Sequence, residues 1–194
     1  VVVNDEDRAF ALTQSHLISE HKLRTGGVFN HFATDISFQE SVRRGLLAEC
    51  AYVHEFGGEI DTNLYPYGDG GRDFWLPLAM RRFPRCFKLN VKCKSVRSSL
   101  IGLIGSGTHL RVSKKEIEPE TIYVFAVYYE KTDDADILKW EWGQTLIDAN
   151  QLMEFKNSHG GKSYTLRYEE LRELSELKRR RVSLRHYKLF RKRP

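Results

Sequence analysis

Two hydrophobic periods divide this chain, one near 3.6 residues and one of two, and each predicts a different kind of element. Residues 5–24 read as a helix, with Phe10, Leu12, Leu17 and Ile18 as expected contacts and Thr25-Gly26-Gly27 as the stop. Ser37 can cap a second helix over 38–56, closed by Gly57-Gly58. On a helical projection, Phe38, Val42, Gly45, Tyr52, Val53 and Phe56 share one side, with Leu46 at its edge, while Glu40, Arg43, Arg44 and Glu55 fall largely opposite. Glu49 breaks this pattern, because it lies near the middle of the apolar arc. A carboxylate aimed at a core is costly unless a cation, a metal or strong donors meet it.

Past Gly58 the period drops to two. A strand is expected over 58–64, then a loop with Pro66, Tyr67 and Asp69, then a short strand over 72–76 that carries Asp73. Residues 86–94 alternate strictly: Phe87, Leu89, Val91 and Cys93 point one way, and Lys88, Asn90, Lys92 and Lys94 the other. A strand over 109–113 follows a glycine-punctuated connector. Residues 121–129, TIYVFAVYY, are apolar on both faces and suit the central strand of a covered sheet. Asp133-Asp134 marks a turn. A strand over 137–142 places Trp140 and Trp142 on one face, a short helix is expected over 147–155 and a strand over 164–168, and a charged helix runs from Glu169 into the C-terminal tail. The predicted fold class is α/β, a mixed central β-sheet flanked by helices, in one domain over 1–177 with a basic tail over 178–194.

Charge changes this picture most. The net charge is +5, yet from Lys178 to Arg193 there are nine Lys or Arg and no Asp or Glu, so the rest of the chain is net acidic. A concentrated basic segment is the footprint of a polyanion, and nucleic acid is the expected partner, through Arg179, Arg180 and Arg181. No apolar run is long enough to span a membrane, and the first residues lack the form of a secretion signal. The three cysteines (Cys50, Cys86 and Cys93) have no CxxC spacing, which argues against structural zinc and a disulfide framework. A reducing, cytoplasmic setting is the expectation.

Glu49 on a helix, Asp73 on a strand entered through Gly70-Gly71, and Asn90-Val91-Lys92 on the next strand resemble the PD-(D/E)xK nuclease superfamily, with its restriction-endonuclease-like core. The likeness covers about 38–129. It implies a metal-dependent hydrolase of phosphodiester bonds, acting on DNA, with Mg²⁺ or Mn²⁺ as cofactor. On the family pattern Asp73 is the first ligand, Glu49 a further carboxylate and the Val91 carbonyl another contact. Lys92 orients or deprotonates the attacking water, or holds a phosphate oxygen. Asn90 departs from the pattern, which has Asp or Glu there; an amide offers an oxygen but no charge. Three explanations stay open: an enzyme that works with Asn, an inactive Asp-to-Asn form, or a nuclease fold that binds nucleic acid without turnover.

Lys88, Lys94, Arg81, Arg82 and Arg85 are further candidates for phosphate contacts, and Asp69 is an alternative ligand. Tyr67, Trp75, Trp140 and Trp142 could stack on bases, though packing is the commoner use of such residues. Gly161-Lys162-Ser163 looks like the end of a P-loop, but position 156 is Lys rather than Gly and a strand-like segment follows. Paired cuts in a duplex would call for a homodimer, of which no signature is legible.

Overall fold

The computed structural model describes residues 3–25, 38–64, 73–80, 84–97, 109–154 and 162–182. It opens with two helices, α1 (Asp5–Arg24) and α2 (Phe38–Phe56). Asn4 starts α1 with a reciprocal cap: its side-chain oxygen accepts from the Asp7 N–H, and the Asp7 carboxylate accepts from the Asn4 N–H. Strands β1 (Phe74–Leu78), β2 (Arg85–Val96), β3 (His109–Ser113), β4 (Ile122–Tyr129) and β5 (Asp134–Trp142) follow. Then come α3 (Gly143–Ala149), β6 (Leu152–Glu154), β7 (Lys162–Arg167), a 3₁₀ turn (Tyr168–Glu170), β8 (Arg172–Glu173) and α4 (Leu174–Arg180).

The central sheet is mixed, in the order β1-β2-β4-β5-β8. β1 and β2 are antiparallel, β2 and β4 parallel, and β4 and β5 antiparallel. A second, antiparallel sheet is ordered β3-β7-β6. The two sides of β4 explain this layering. Ile122, Val124, Ala126 and Tyr128 join a core with Leu47, Ala51, Tyr52 and Phe56 of α2, and Phe87 and Leu89 of β2. Tyr123, Phe125 and Val127 join a second core with Leu110 and Val112 of β3, Leu146 of α3 and Leu166 of β7. The expected α/β class and mixed, helix-flanked sheet are thus observed, with a small sheet sharing the cover on one side.

The helix boundaries match the periodicity, but the facing residues differ. Leu12 and Leu17 of α1 are 55% and 41% exposed, while Ala11 and Ser15 take inner positions. On α2, Arg43 and Arg44 turn inward rather than to solvent. Arg43 Nη1 donates to Asp133 Oδ1 at 2.8 Å, and Arg44 Nη1 to Glu130 Oε1 at 2.9 Å, so the β4–β5 turn supplies carboxylates the periodicity cannot reveal. Both arginines also hold Glu40, through contacts of 2.7 Å and 2.8 Å. Residues 58–64 form no strand. The strand expected over 137–142 starts earlier, at Asp134, with a register shift opposite Phe125/Ala126. The helix expected over 147–155 is displaced to α3, ending at Asn150 in the left-handed region, and the helix expected from Glu169 is replaced by a 3₁₀ turn and β8 before α4.

Gly143 is required by a close approach. A Cβ there would sit 1.9 Å from the Glu118 carbonyl oxygen, which backbone cannot vacate cheaply. Gly143→Ala is expected to lower stability by about 1–3 kcal/mol, as overpacking does. A urea midpoint and slope indistinguishable from wild type would refute this. The Arg43 hydrogen bond, more than its burial, holds the Glu40 carboxyl below its ordinary value of 4.5. A depressed carboxylate adds stability above its unfolded value and loses it as pH falls through the folded one. The stability gap between wild type and Glu40→Gln is therefore expected to be full at neutral pH and to close as pH drops below 4.5, read from denaturation midpoints across that range.

Candidate functional site

Asp73 immediately precedes β1, and its backbone N–H donates to the Leu89 carbonyl at 3.0 Å, continuing the β1–β2 ladder by one step. Its carboxylate Oδ2 accepts from the Val91 N–H at 2.5 Å. The side chain is therefore pinned to β2 between Asn90 and Lys92. Asp73 also lines a cavity of about 270 Å³ together with Glu49 and Asp61, walled by Ile18, His21 and Lys22 of α1 and by Val42, Gly45 and Leu46 of α2. Glu49 is half-buried at this margin of α2 rather than in the middle of its buried arc. Its neighbour Cys50 has its thiol pushed up to about 12, by burial first and then by the charges of Asp7 and Glu49.

A second cavity, of about 540 Å³, shares Asp61 and Asp73 with the first and runs along β1 past Phe74, Trp75 and Leu76 to Gly57, Gly58 and Arg181. Trp75 is 50% exposed there, whereas Trp140 and Trp142 pack against each other in a T-shaped contact of 5.8 Å. The Arg181 guanidinium reaches this cavity because its segment is stitched to β1. The Ala79 N–H donates to the Arg180 carbonyl at 2.6 Å and the Val182 N–H to the Pro77 carbonyl at 2.9 Å. Sequence reasoning passes over Asp61, since a segment read as a strand gives it no special place; only the path of 57–61 back across Asp73 brings it in.

Asn90 and Lys92 lie on the other face of the sheet. Asn90 is 4% exposed and registers with Tyr123, and Lys92 registers with Phe125, both in the second core. Lys92 Nζ lies 3.2 Å from Glu116 Oε2, and Lys88 Nζ 2.9 Å from Glu118 Oε2. The structure thus gathers Glu49 and Asp73 but does not bring the Asn90 and Lys92 side chains into their cavity. The expected NVK contribution on that side reduces to the Val91 backbone. Of the other basic candidates, Arg179 is exposed, Arg180 pairs with Glu176 at 2.8 Å, and Arg85 lies 3.8 Å from Glu120. Arg81, Arg82, Tyr67, Asp69, Gly161 and the tail from 183 lie outside the described residues. His54 is a structural partner of Asp7, at 2.8 Å.

Glu49, Asp61 and Asp73 are the hard oxygen donors that a divalent cation such as Mg²⁺ takes. Among the described residues no group of three His, Cys, Asp or Glu is gathered closely enough to cage a metal. Mg²⁺ is commonly held by one or two carboxylates together with waters and substrate phosphates, and Glu49 with Asp73 fit that sparser pattern. Among the described residues no helix is long and apolar enough to cross a membrane, and the three cysteines are free thiols.

A scan against protein-family models and searches of the curated proteins and of the solved structures found no significant match to this chain.

The Asp73–Val91 contact has a stability consequence separable from any chemistry. Asp73→Ala leaves the Val91 N–H without its acceptor and is expected to cost about 1–2 kcal/mol, while Asp73→Asn, which keeps an oxygen, costs less. Equal losses for the two variants in chemical denaturation would show that the contact contributes nothing.

Proposed function

We propose that this protein is a metal-dependent nuclease that hydrolyses phosphodiester bonds in DNA, with α2, β1, β2 and β4 as a restriction-endonuclease-like core. The observation that carries the reading is the position of Asp73. It shares one cavity with Glu49, and its carboxylate is held by the Val91 N–H between Asn90 and Lys92. The order of helix-borne Glu, strand-borne Asp and lysine-bearing strand is the order on which the resemblance rests.

Glu49 and Asp73 would hold Mg²⁺ or Mn²⁺, with the Val91 carbonyl as a further candidate; the Asn90 amide, buried on the opposite face of the sheet, would have to turn toward them to contribute. When bound, the ion would supply Lewis-acid neutralisation of phosphate charge and a more acidic water. The chain's own residues have separable tasks. Asp73 is oriented by the Val91 N–H before any substrate arrives. Lys92 would hold a phosphate oxygen or help take the proton from the attacking water, which requires it to leave its Glu116 partner and meet the substrate from the opposite face of the sheet. Arg181, brought to the Asp73 cavity by main-chain pairing with β1, would meet a strand phosphate there. The basic residues that follow would add attraction that weakens with salt. Paired cuts would take two copies of the chain.

A second reading has its own observation. Asn90 puts an uncharged amide at the position of the family's acid, and Lys92 is ion-paired on the face away from Glu49. A nuclease fold retained for binding nucleic acid without turnover fits these facts.

Cleavage of labelled single-stranded, duplex and branched DNA, with and without Mg²⁺ or Mn²⁺, separates the two. Metal-dependent cutting is expected, increased by Asn90→Asp and reduced about 100-fold or more by Asp73→Asn or Glu49→Gln, the scale of loss for positioned catalytic groups. If neither wild type nor Asn90→Asp cuts, and neither binds Mg²⁺ calorimetrically, the enzyme reading fails and salt-dependent binding alone remains.

A further inference from the structure

One face of α1 is turned to the rest of the protein. Ala11 and Ser15 are buried on it, and Ile18 packs against the main core. At helical spacing this side continues through His21 and Lys22 in the last turn, and both line the cavity of about 270 Å³ that holds Glu49, Asp61 and Asp73. The Lys22 ammonium lies over the Phe38 ring, 4.5 Å from its centroid. The Asn63 amide nitrogen donates to Asp61 Oδ1 at 2.6 Å. His21 differs from both. Its side chain is half-buried, its Nε2 is fully buried, and that nitrogen makes no hydrogen bond.

A buried ring nitrogen without a partner leaves its lost hydration uncompensated until a polar group meets it. The surrounding residues indicate the kind of group. Glu49, Asp61 and Asp73 offer hard oxygens, yet among the described residues no group of three His, Cys, Asp or Glu is gathered closely enough to cage an ion. His21 is therefore not placed to complete a cage with two carboxylates. An ion held by one or two carboxylates keeps waters in the rest of its shell, and Mg²⁺ gives them up reluctantly. Those waters need acceptors, and Ile18, Val42, Leu46 and Leu64 supply none from their side chains. A neutral imidazole with its proton on Nδ1 carries a lone pair on Nε2. Water polarised by a cation is a stronger donor than bulk water, so this lone pair suits it.

We propose that His21 is a positioning residue of the metal site: its Nε2 accepts a hydrogen bond from a water in the ion's shell and does not bind the ion itself. Resting on the assignment of Glu49 and Asp73 as the metal-holding groups, this role gives α1 a part in the site. It also favours an ion that retains water, Mg²⁺, over one such as Zn²⁺ that takes imidazole directly.

The test uses the full chain as wild type, H21A, H21Q and, as a control, H16A, whose parent side chain is exposed, outside the cavity and beside Glu20. Mg²⁺ binding is measured by calorimetry without nucleic acid, and thermal unfolding is followed with and without Mg²⁺. H21A is expected to bind Mg²⁺ about tenfold more weakly, as when an outer partner of a metal site is removed, while H16A stays within about twofold. The rise in unfolding temperature on adding Mg²⁺ should shrink in H21A accordingly. H21Q, whose amide oxygen can reach the place of Nε2, should recover most of the affinity. Co²⁺, which accepts imidazole readily, is the spectroscopic probe. The same absorption spectrum is expected in wild type and H21Q; a different one shows direct ligation and overturns the water-mediated role. Equal Mg²⁺ affinity in wild type and H21A overturns it as well. So does a loss in H21A that H21Q does not restore and that comes with a lowered unfolding temperature without metal, which marks a packing role. Glu49→Gln and Asp73→Asn keep the two proposals apart. If they abolish Mg²⁺ binding while H21A leaves it unchanged, only the role of His21 fails. If they leave binding unchanged, or wild type binds no Mg²⁺, the metal assignment fails and the role of His21 with it.

Discussion

Burial of β4 on both faces is the constraint from which the rest of this structure follows. Seven of its eight residues are buried, Ile122 through Tyr128, and alternate side chains serve two different cores. At roughly 25 cal/mol for each Å² of apolar surface removed from water, neither face of such a strand can be left to solvent. One layer of cover comes from α2, backed by α1. The other comes from the small β3-β7-β6 sheet and α3. β2 is then held parallel to β4 along its length, from Leu89 opposite Ile122 to Val96 opposite Tyr129. The candidate chemistry inherits its position from that pairing.

The same sheet divides the charges. Carboxylates of Glu49, Asp61 and Asp73 gather on the helix side and at the β1 edge, while Lys88, Lys92 and Lys94 occupy the opposite face. Asp73 is where the two sides adjoin, because its carboxylate is bound to the backbone of the lysine-bearing strand itself. The phosphodiester substrate we propose would need both signs nearby: acid groups for a cation and basic groups for its own phosphates. The cavities beside β1 and the lysine face of β2 supply these separately, and that separation distinguishes this chain from a preassembled cluster.

The helix spans, the covered β4 and the alternation of β2 were legible because each depends on a local period. Trp140 and Trp142 on one face follow from the same rule. Asp73 and Glu49 stood out for different local reasons, one as an acid after a double glycine, the other as a carboxylate among apolar neighbours. What misled was the assumption of one buried side per helix. α2 lies between α1 and the sheet, so its buried arc is wide. Arg43 and Arg44 are drawn inward by Asp133 and Glu130, acids some ninety residues away in the chain. Leu12 and Leu17, apolar but outward, show the converse.

By itself the sequence determined which segments could hydrogen-bond as helix or strand and which faces had to leave water, since these depend on neighbours within a turn or two. It also determined the types of side chain available for chemistry, down to the amide at Asn90. The tertiary structure alone decided which of them meet. Asp61 joins Asp73 because 57–61 folds back along β1, and Arg181 reaches the same cavity through the main-chain bonds of 180–182. Such meetings depend on chain crossings between distant segments, and no local period encodes them.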